Sequence, residues 1–73
     1  MSDWGVILFH TTSSAIRAEK VALKAGFDCK LVPTPREFSS DCGIALRFAW
    51  GDADAIKGCL EEARVELADV HRL

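Results

Sequence analysis

The feature that most restricts the fold is a short apolar run from Trp4 to Phe9, which contains no charged side chain. A run of this length, with β-branched and aromatic members, is typical of a strand that is buried on both faces. Such a strand belongs in the interior of a sheet. The chain has 73 residues, and a domain of that size has room for one thin core. We therefore predict a single domain over residues 1–73.

The next part of the sequence predicts one helix and two further strands. The helix begins near Ser13 or Ser14, where the hydroxyl side chains of residues 11–14 can cap it, and it stops at Gly26, which tolerates the left-handed conformation. Apolar and polar residues alternate over 27–32 and again over 43–50, which predicts a strand in each range. Two prolines separate these strands and end the first of them.

A second helix is predicted to follow the third strand and to run to near the C-terminus. Asp52 can cap it, after the break at Gly51. Its apolar stripe has helical spacing and consists of Ile56, Leu60, Ala63, Leu67 and Val70.

The order strand, helix, strand, strand, helix predicts an α+β fold of the ferredoxin-like, split βαββα type. We expect a three-stranded antiparallel or mixed sheet with both helices on one face. The other face then stays partly open. Open apolar sheet faces are often covered by a second copy or by another protein, so a homodimer is one expected arrangement.

Composition excludes several classes of function. Nine basic and eleven acidic residues give a net charge of -2, without the basic patch that nucleic-acid binding requires. No apolar run approaches the roughly 20 residues that span a bilayer, and the N-terminus lacks the layout of a secretory signal. We therefore expect a cytoplasmic protein that binds neither nucleic acid nor membrane.

Three cysteines form neither a disulfide framework nor a paired metal-binding motif. Cys29 alternates with apolar neighbours, and Cys59 lies beside the stripe of the second helix, so both are expected to be structural. Cys42 differs because it lies in the loop before the third strand.

The expected topology brings several reactive groups to one edge of the sheet. If the first and third strands are antiparallel, His10 and Cys42 meet there, beside the start of the first helix. The positive end of that helix, with Ser13 and Ser14, favours an anion. A nearby cation such as Arg36 also favours a thiolate. Cys42 is therefore the candidate nucleophile, and His10 is a possible general base.

Neighbouring loop residues fit the same chemistry. Gly43 has no Cβ, which lets a protein donor or acceptor approach the sulfur, and Ser39 and Ser40 supply hydroxyl donors. Asp41 acts in the opposite direction, because a negative neighbour raises the pKa of a thiol unless its side chain turns toward the loop backbone.

The segment from Pro33 to Gly43, PTPREFSSDCG, together with Ala18-Glu19-Lys20 in the first helix, resembles the small bacterial selenium/sulfur (Se/S) carrier-like family. The resemblance covers nearly the whole chain. It implies a cytosolic carrier that holds sulfur or selenium on Cys42 as a persulfide or its selenium equivalent. Its partners would be donor and acceptor proteins of sulfur or selenium metabolism. Such a protein is at most a sulfurtransferase-like accessory, without independent turnover, and needs no metal or organic cofactor.

Two other functions remain open at this point. One is a non-catalytic regulatory or interaction module of ferredoxin-like fold, whose loop binds a small anion. The other is a metal site formed by Cys42 and His10, which falls short of the three or four protein ligands that zinc sites use.

Overall fold

The computed structural model describes residues 3–38 and 43–73. Its regular elements, in chain order, are β1 (Trp4–Leu8), α1 (Thr12–Lys24), β2 (Cys29–Pro33), β3 (Ile44–Ala49), a 3-10 turn (Trp50–Asp52), α2 (Ala53–Glu62) and β4 (Asp69–Arg72). The chain is therefore a small α+β protein with two helices over the described residues.

The described strands form one four-stranded sheet in the order β2-β3-β1-β4. Every neighbouring pair is antiparallel. β1 lies in the interior, as its apolar run predicts. The prediction of three strands is wrong, because β4 pairs with the free side of β1, with Val70 opposite Ile7.

β4 was not predicted because the second helix was predicted to be longer than it is. The helical spacing of Leu67 and Val70 predicts a helix that continues to near the C-terminus, but α2 stops at Glu62. Leu67 and Val70 still pack against the core, from an extended segment and from β4. The apolar stripe thus identified residues that face the core, but not the element that carries them.

Both helices end in the same hydrogen-bonded motif. In α2, Arg64 N–H donates to the Glu61 carbonyl and Val65 N–H to the Leu60 carbonyl, at 2.9 and 3.0 Å. This is a Schellman motif, and Arg64 takes its left-handed position with φ 57°. In α1 the same position belongs to Gly26, with φ 92°. A glycine predicts this kind of helix end from the sequence, whereas an arginine does not.

One face of the sheet is covered by both helices. The residues that meet there are fully buried: Ile7, Phe9, Leu46 and Phe48 from the sheet side, Ala15, Ala18 and Ala22 from α1, and Ile56 and Leu60 from α2. The alanines let α1 lie close to the strands. We call this side of the sheet the covered face.

Gly5 permits close packing at the end of this covered face. A Cβ at Gly5 would lie 2.5 Å from a Trp50 ring atom and 2.8 Å from a Phe48 ring atom. These distances are shorter than any van der Waals contact, so the two aromatic rings occupy space that only glycine leaves open.

The other side, which we call the open face, has a smaller apolar cluster. Val6, Leu8 and Ala45 are buried there, with Val32 and Phe38 packed against them. Phe38 follows β2 in the chain and covers residues of β1 and β3. A side chain from the loop, and not a helix, therefore protects this part of the sheet.

The two ends of the described chain lie side by side. Leu73 N–H donates to the Trp4 carbonyl at 2.9 Å, and the Arg72 guanidinium contacts the Asp3 carboxylate. β1 therefore begins where β4 ends. Within the described residues, neither helix has the length and apolar character needed to cross a membrane.

Candidate functional site

The candidate site lies at the edge of the sheet where β1 and β2 end and β3 begins. The register pairs Leu8 with Ala45 and Pro33 with Ile44. One residue further, Thr34 N–H donates to the Gly43 carbonyl at 3.1 Å. We call this the loop edge. The antiparallel pairing of β1 with β3 is the arrangement expected from the sequence.

α1 begins at the loop edge, and one of the predicted hydroxyl residues caps it. Thr11 is the N-cap: its Oγ1 accepts from Ser14 N–H at 3.1 Å and donates to Ser14 Oγ at 3.0 Å. Ser13 and Ser14 lie in the first turn. The helix begins one or two residues earlier than predicted, because several consecutive hydroxyl residues carry equivalent capping signals.

This cap limits what the helix start can offer to an anion. The Ser14 N–H is already satisfied by Thr11, so that donor is not available to a ligand. The first turn contains no acidic residue, and Ser13 is exposed. The positive end of the helix dipole therefore faces the loop edge without a carboxylate from its own first turn.

Besides Ser13 and Ser14, the predicted site residues His10, Arg36 and Gly43 lie within the described part of the chain, and these three are exposed. His10 follows β1 at the loop edge. Arg36 lies in a turn closed by Phe38 N–H donating to the Pro35 carbonyl at 3.0 Å. No described atom lies within 4 Å of where a Gly43 Cβ would be, so packing of the described fold does not require glycine there.

The predictions for Cys42, Ser39, Ser40 and Asp41 fall outside the described residues. The described residues on each side of them belong to ordered contacts. Before them, Phe38 packs on the open face. After them, Gly43 bonds to Thr34 at the start of β3.

Phe38 is held by a residue that the sequence analysis did not identify. Its ring stacks on His71 of β4, with 4.1 Å between ring centroids and 7° between ring planes. His71 Nε2 lies 3.1 Å from Asp69 Oδ2. This contact joins the turn that contains Arg36 to β4, which is the edge strand on the opposite side of the sheet from β2.

The sequence did contain a weak signal for this contact. Asp69, Val70 and His71 alternate between polar and apolar character, Arg72 breaks the alternation, and such a short stretch also fits one helical turn. Because the second helix was extended through it, His71 had no assigned neighbour. Recognising the strand would have placed His71 opposite Val6 on the open face.

The other two cysteines occupy different surroundings. Cys29 is half-buried and packs against the core of the covered face. Burial raises the pKa of its thiol, and the nearby carboxylates of Glu19 and Asp28 raise it further. At neutral pH the Cys29 thiol is therefore protonated and a poor nucleophile. Cys59 is half-buried in α2, where its carbonyl accepts from Ala63 N–H at 3.1 Å.

Among residues 3–38 and 43–73, no group of three or more His, Cys, Asp and Glu side chains is arranged to hold a metal ion.

Comparison with known protein families gives a match over almost the whole length. The family model described as "Putative Se/S carrier protein-like" matches residues 4–72. This range includes every regular element, the loop edge and the Cys42 segment. The comparisons with curated proteins and with solved structures gave no match. The chain belongs to the Se/S carrier-like family.

Proposed function

We propose that the protein is a carrier that holds one sulfur or selenium atom on Cys42 and passes it to an acceptor. The observation that carries this proposal is the family match over residues 4–72. A second observation supports the choice of cysteine: burial and two carboxylates keep the Cys29 thiol protonated. Cys42 adjoins Gly43, whose carbonyl is bonded at the loop edge.

The proposed step is a thiol exchange extended by one atom. The Cys42 thiolate attacks the outer sulfur of a donor persulfide, a new S–S bond forms, and the bond between the two donor sulfurs breaks. The electron pair leaves with the donor thiolate, which takes up a proton, and Cys42 becomes the persulfide. There is no net oxidation or reduction. Transfer to an acceptor thiolate repeats the step in the opposite sense, and selenium takes the place of the outer sulfur in the selenium form.

Residues at the loop edge have roles in this proposal. The start of α1 supplies positive potential for the thiolate, and its first turn contains no acidic residue to oppose it. Arg36, Ser39 and Ser40 would bind the anionic group, and His10 would take or return a proton. Exposed Gly43 leaves space for the sulfur of a protein partner to approach.

We also infer that the fold is ferredoxin-like. Two features support this. The first is the element order, with β4 added after the second helix. The second is the antiparallel strand order β2-β3-β1-β4. We place the carrier in the cytoplasm, where thiols stay reduced, with donor and acceptor proteins as its partners.

The proposal is tested by intact mass spectrometry after incubation with glutathione persulfide or, separately, with its selenium equivalent, in which selenium replaces the outer sulfur. Wild-type protein is expected to gain one sulfur or selenium atom that dithiothreitol removes. Cys42→Ser is expected to gain none. Cys29→Ser and Cys59→Ser are the matched controls, and both should load like the wild type.

Two outcomes would contradict the carrier proposal. The first is a wild-type protein that gains no atom from either donor. The second is a Cys42→Ser variant that loads as well as the wild type, which would assign the chemistry to another thiol. Peptide mapping of the loaded wild type distinguishes Cys42 from the other cysteines, and Cys29 is expected to remain unmodified at pH 7.

A further inference from the structure

A second functional feature lies on the open face, away from the loop edge. Lys30 of β2 and Arg47 of β3 are directly opposite each other in the antiparallel register. Directly opposed residues share a face, and their Cβ atoms lie roughly 5 Å apart. Two like charges in this position destabilise the sheet. An anionic group bound between them would reduce this repulsion, and the described residues do not supply one.

The Arg47 guanidinium is held over an aromatic ring. Its central carbon lies 4.6 Å from the centroid of the Trp4 ring. A guanidinium that lies over a ring can still bind a planar anion through the N–H groups at its edge. The side chain is half-buried, and its Nε is buried without a hydrogen-bond partner.

Among the described residues, no carboxylate forms an ion pair with Lys30 or Arg47. The ion pairs found among the described residues are His71 with Asp69 and Arg72 with Asp3, and they include neither Lys30 nor Arg47. Asp28, just before β2, is exposed and has no ion pair in that set. A partly desolvated guanidinium without a carboxylate partner gains most from an incoming anion.

We propose that the part of the open face formed by Trp4, Lys30 and Arg47 is a docking surface for an acidic segment of a partner protein. A carboxylate of that segment binds the edge of the Arg47 guanidinium, and the Lys30 ammonium provides a second positive charge. This inference stands on the surface itself and goes beyond the chemistry proposed for Cys42.

Three arguments favour a protein partner over other occupants. The described residues enclose no pocket, so a free ion would be held from one side only. Trp and Arg are enriched among the residues that contribute most of the binding energy of protein interfaces. A second copy placed face to face would bring Lys30 and Arg47 against the same cations, which disfavours a symmetric dimer through this surface.

The test is an NMR titration of the ¹⁵N-labelled protein with acetylated hexaglutamate at low salt. The Trp4 indole N–H and the Arg47 Nε–H are observed directly. Both signals are expected to shift and saturate, and the shifts should shrink as salt is added. Lys30→Gln and Arg47→Gln are each expected to weaken binding about tenfold, the loss expected for one charge-assisted hydrogen bond.

Lys24→Gln is the matched control, because it removes the same charge from an exposed site in the last turn of α1. It should bind hexaglutamate like the wild type. The spectrum of each variant also reports whether it is folded. Exposed Lys30 provides a test even if the half-buried Arg47 cannot be replaced.

Four outcomes would overturn the inference. Equal shifts with hexaglutamine would show that charge is irrelevant. Equal affinity for sodium sulfate at matched ionic strength would assign the surface to a small ion. Shifts centred on α1, or absent altogether, would leave the surface without this ligand. Self-association of the free protein in sedimentation, abolished by Lys30→Gln, would make a second copy the occupant. A failure of Cys42 loading would change none of these readouts.

Discussion

The two faces of the sheet differ in what protects them. On the covered face, two helices bury a set of aliphatic and aromatic side chains, and ten residues of that cluster are at most 7% exposed. On the open face, three residues are buried and much of their cover comes from Phe38, a loop residue. On the open face the polar side chains of Arg47 and His71 are also half-buried.

This difference indicates that the covered face mainly stabilises the fold and that the open face mainly serves function. Burial of apolar surface is the main source of stability, and most of it lies on the covered face. The open face combines a small apolar cluster with cations, an aromatic stack and the residues that lead into the Cys42 segment. Substitutions on the covered face should therefore change stability, and substitutions on the open face should change function first.

The largest effect is expected from Phe48→Ala on the covered face. Phe48 is 0% exposed, and removing a buried phenylalanine costs about 3 to 5 kcal/mol. Natural proteins have about 0.05 to 0.15 kcal/mol of stability per residue, so this loss is a large part of the total for a chain of this length. Urea unfolding followed by tryptophan fluorescence measures it.

Phe38→Ala is the matched substitution on the open face. Phe38 is half-buried, so we expect a loss of about 1 to 2 kcal/mol from the smaller area returned to water. Equal losses for the two phenylalanines would show that the loop contributes to the core as much as the helices do, and the distinction between the faces would fail.

An effect smaller than that of Phe48→Ala is expected from Gly5→Ala, which adds one methyl group to the covered face. The new Cβ would overlap the Trp50 and Phe48 rings, and overpacking of this kind costs about 1 to 3 kcal/mol. Gly43→Ala is the control at the loop edge, where no described atom lies within 4 Å of the new carbon. It should leave the urea midpoint almost unchanged. A tolerated Gly5→Ala would show that the rings repack freely.

The smallest effect is expected for the stack of Phe38 on His71. A double-mutant cycle with Phe38→Ala, His71→Ala and the double variant should give a coupling of about 0.5 to 1.5 kcal/mol, the range for aromatic pairs. If the stack also positions the loop, each single variant should slow the loading of Cys42 more than it lowers stability. Additive losses, with normal loading, would make the contact incidental.

How far the fold can be predicted depends on which residue carries each signal. β1 and the end of α1 were predicted, because the run after Trp4 is apolar throughout and Gly26 is a standard stop. The end of α2 was not, because Arg64 takes the left-handed position there. Because the end of α2 was not predicted, the residues of β4 were assigned to the second helix and the sheet was predicted with three strands.

The candidate site was predictable to the same extent as its elements. The loop edge followed from the antiparallel pairing of β1 with β3, which local patterns suggested. The contact of Phe38 with His71 joins residues 33 positions apart in the sequence and depends on β4, whose short alternating pattern is only a weak signal. The Arg47 and Trp4 contact likewise depends on which strands are neighbours.

The hydrogen bond from Leu73 to Trp4 has a practical consequence for tethering this domain. The first and last described residues lie at the end of the sheet where β1 begins, whereas Thr34 and Gly43 meet at the opposite end. A surface linker, an affinity tag or a fused domain could therefore be attached at either terminus, or at both together, and the chemistry proposed for the far edge would remain accessible to a visiting protein.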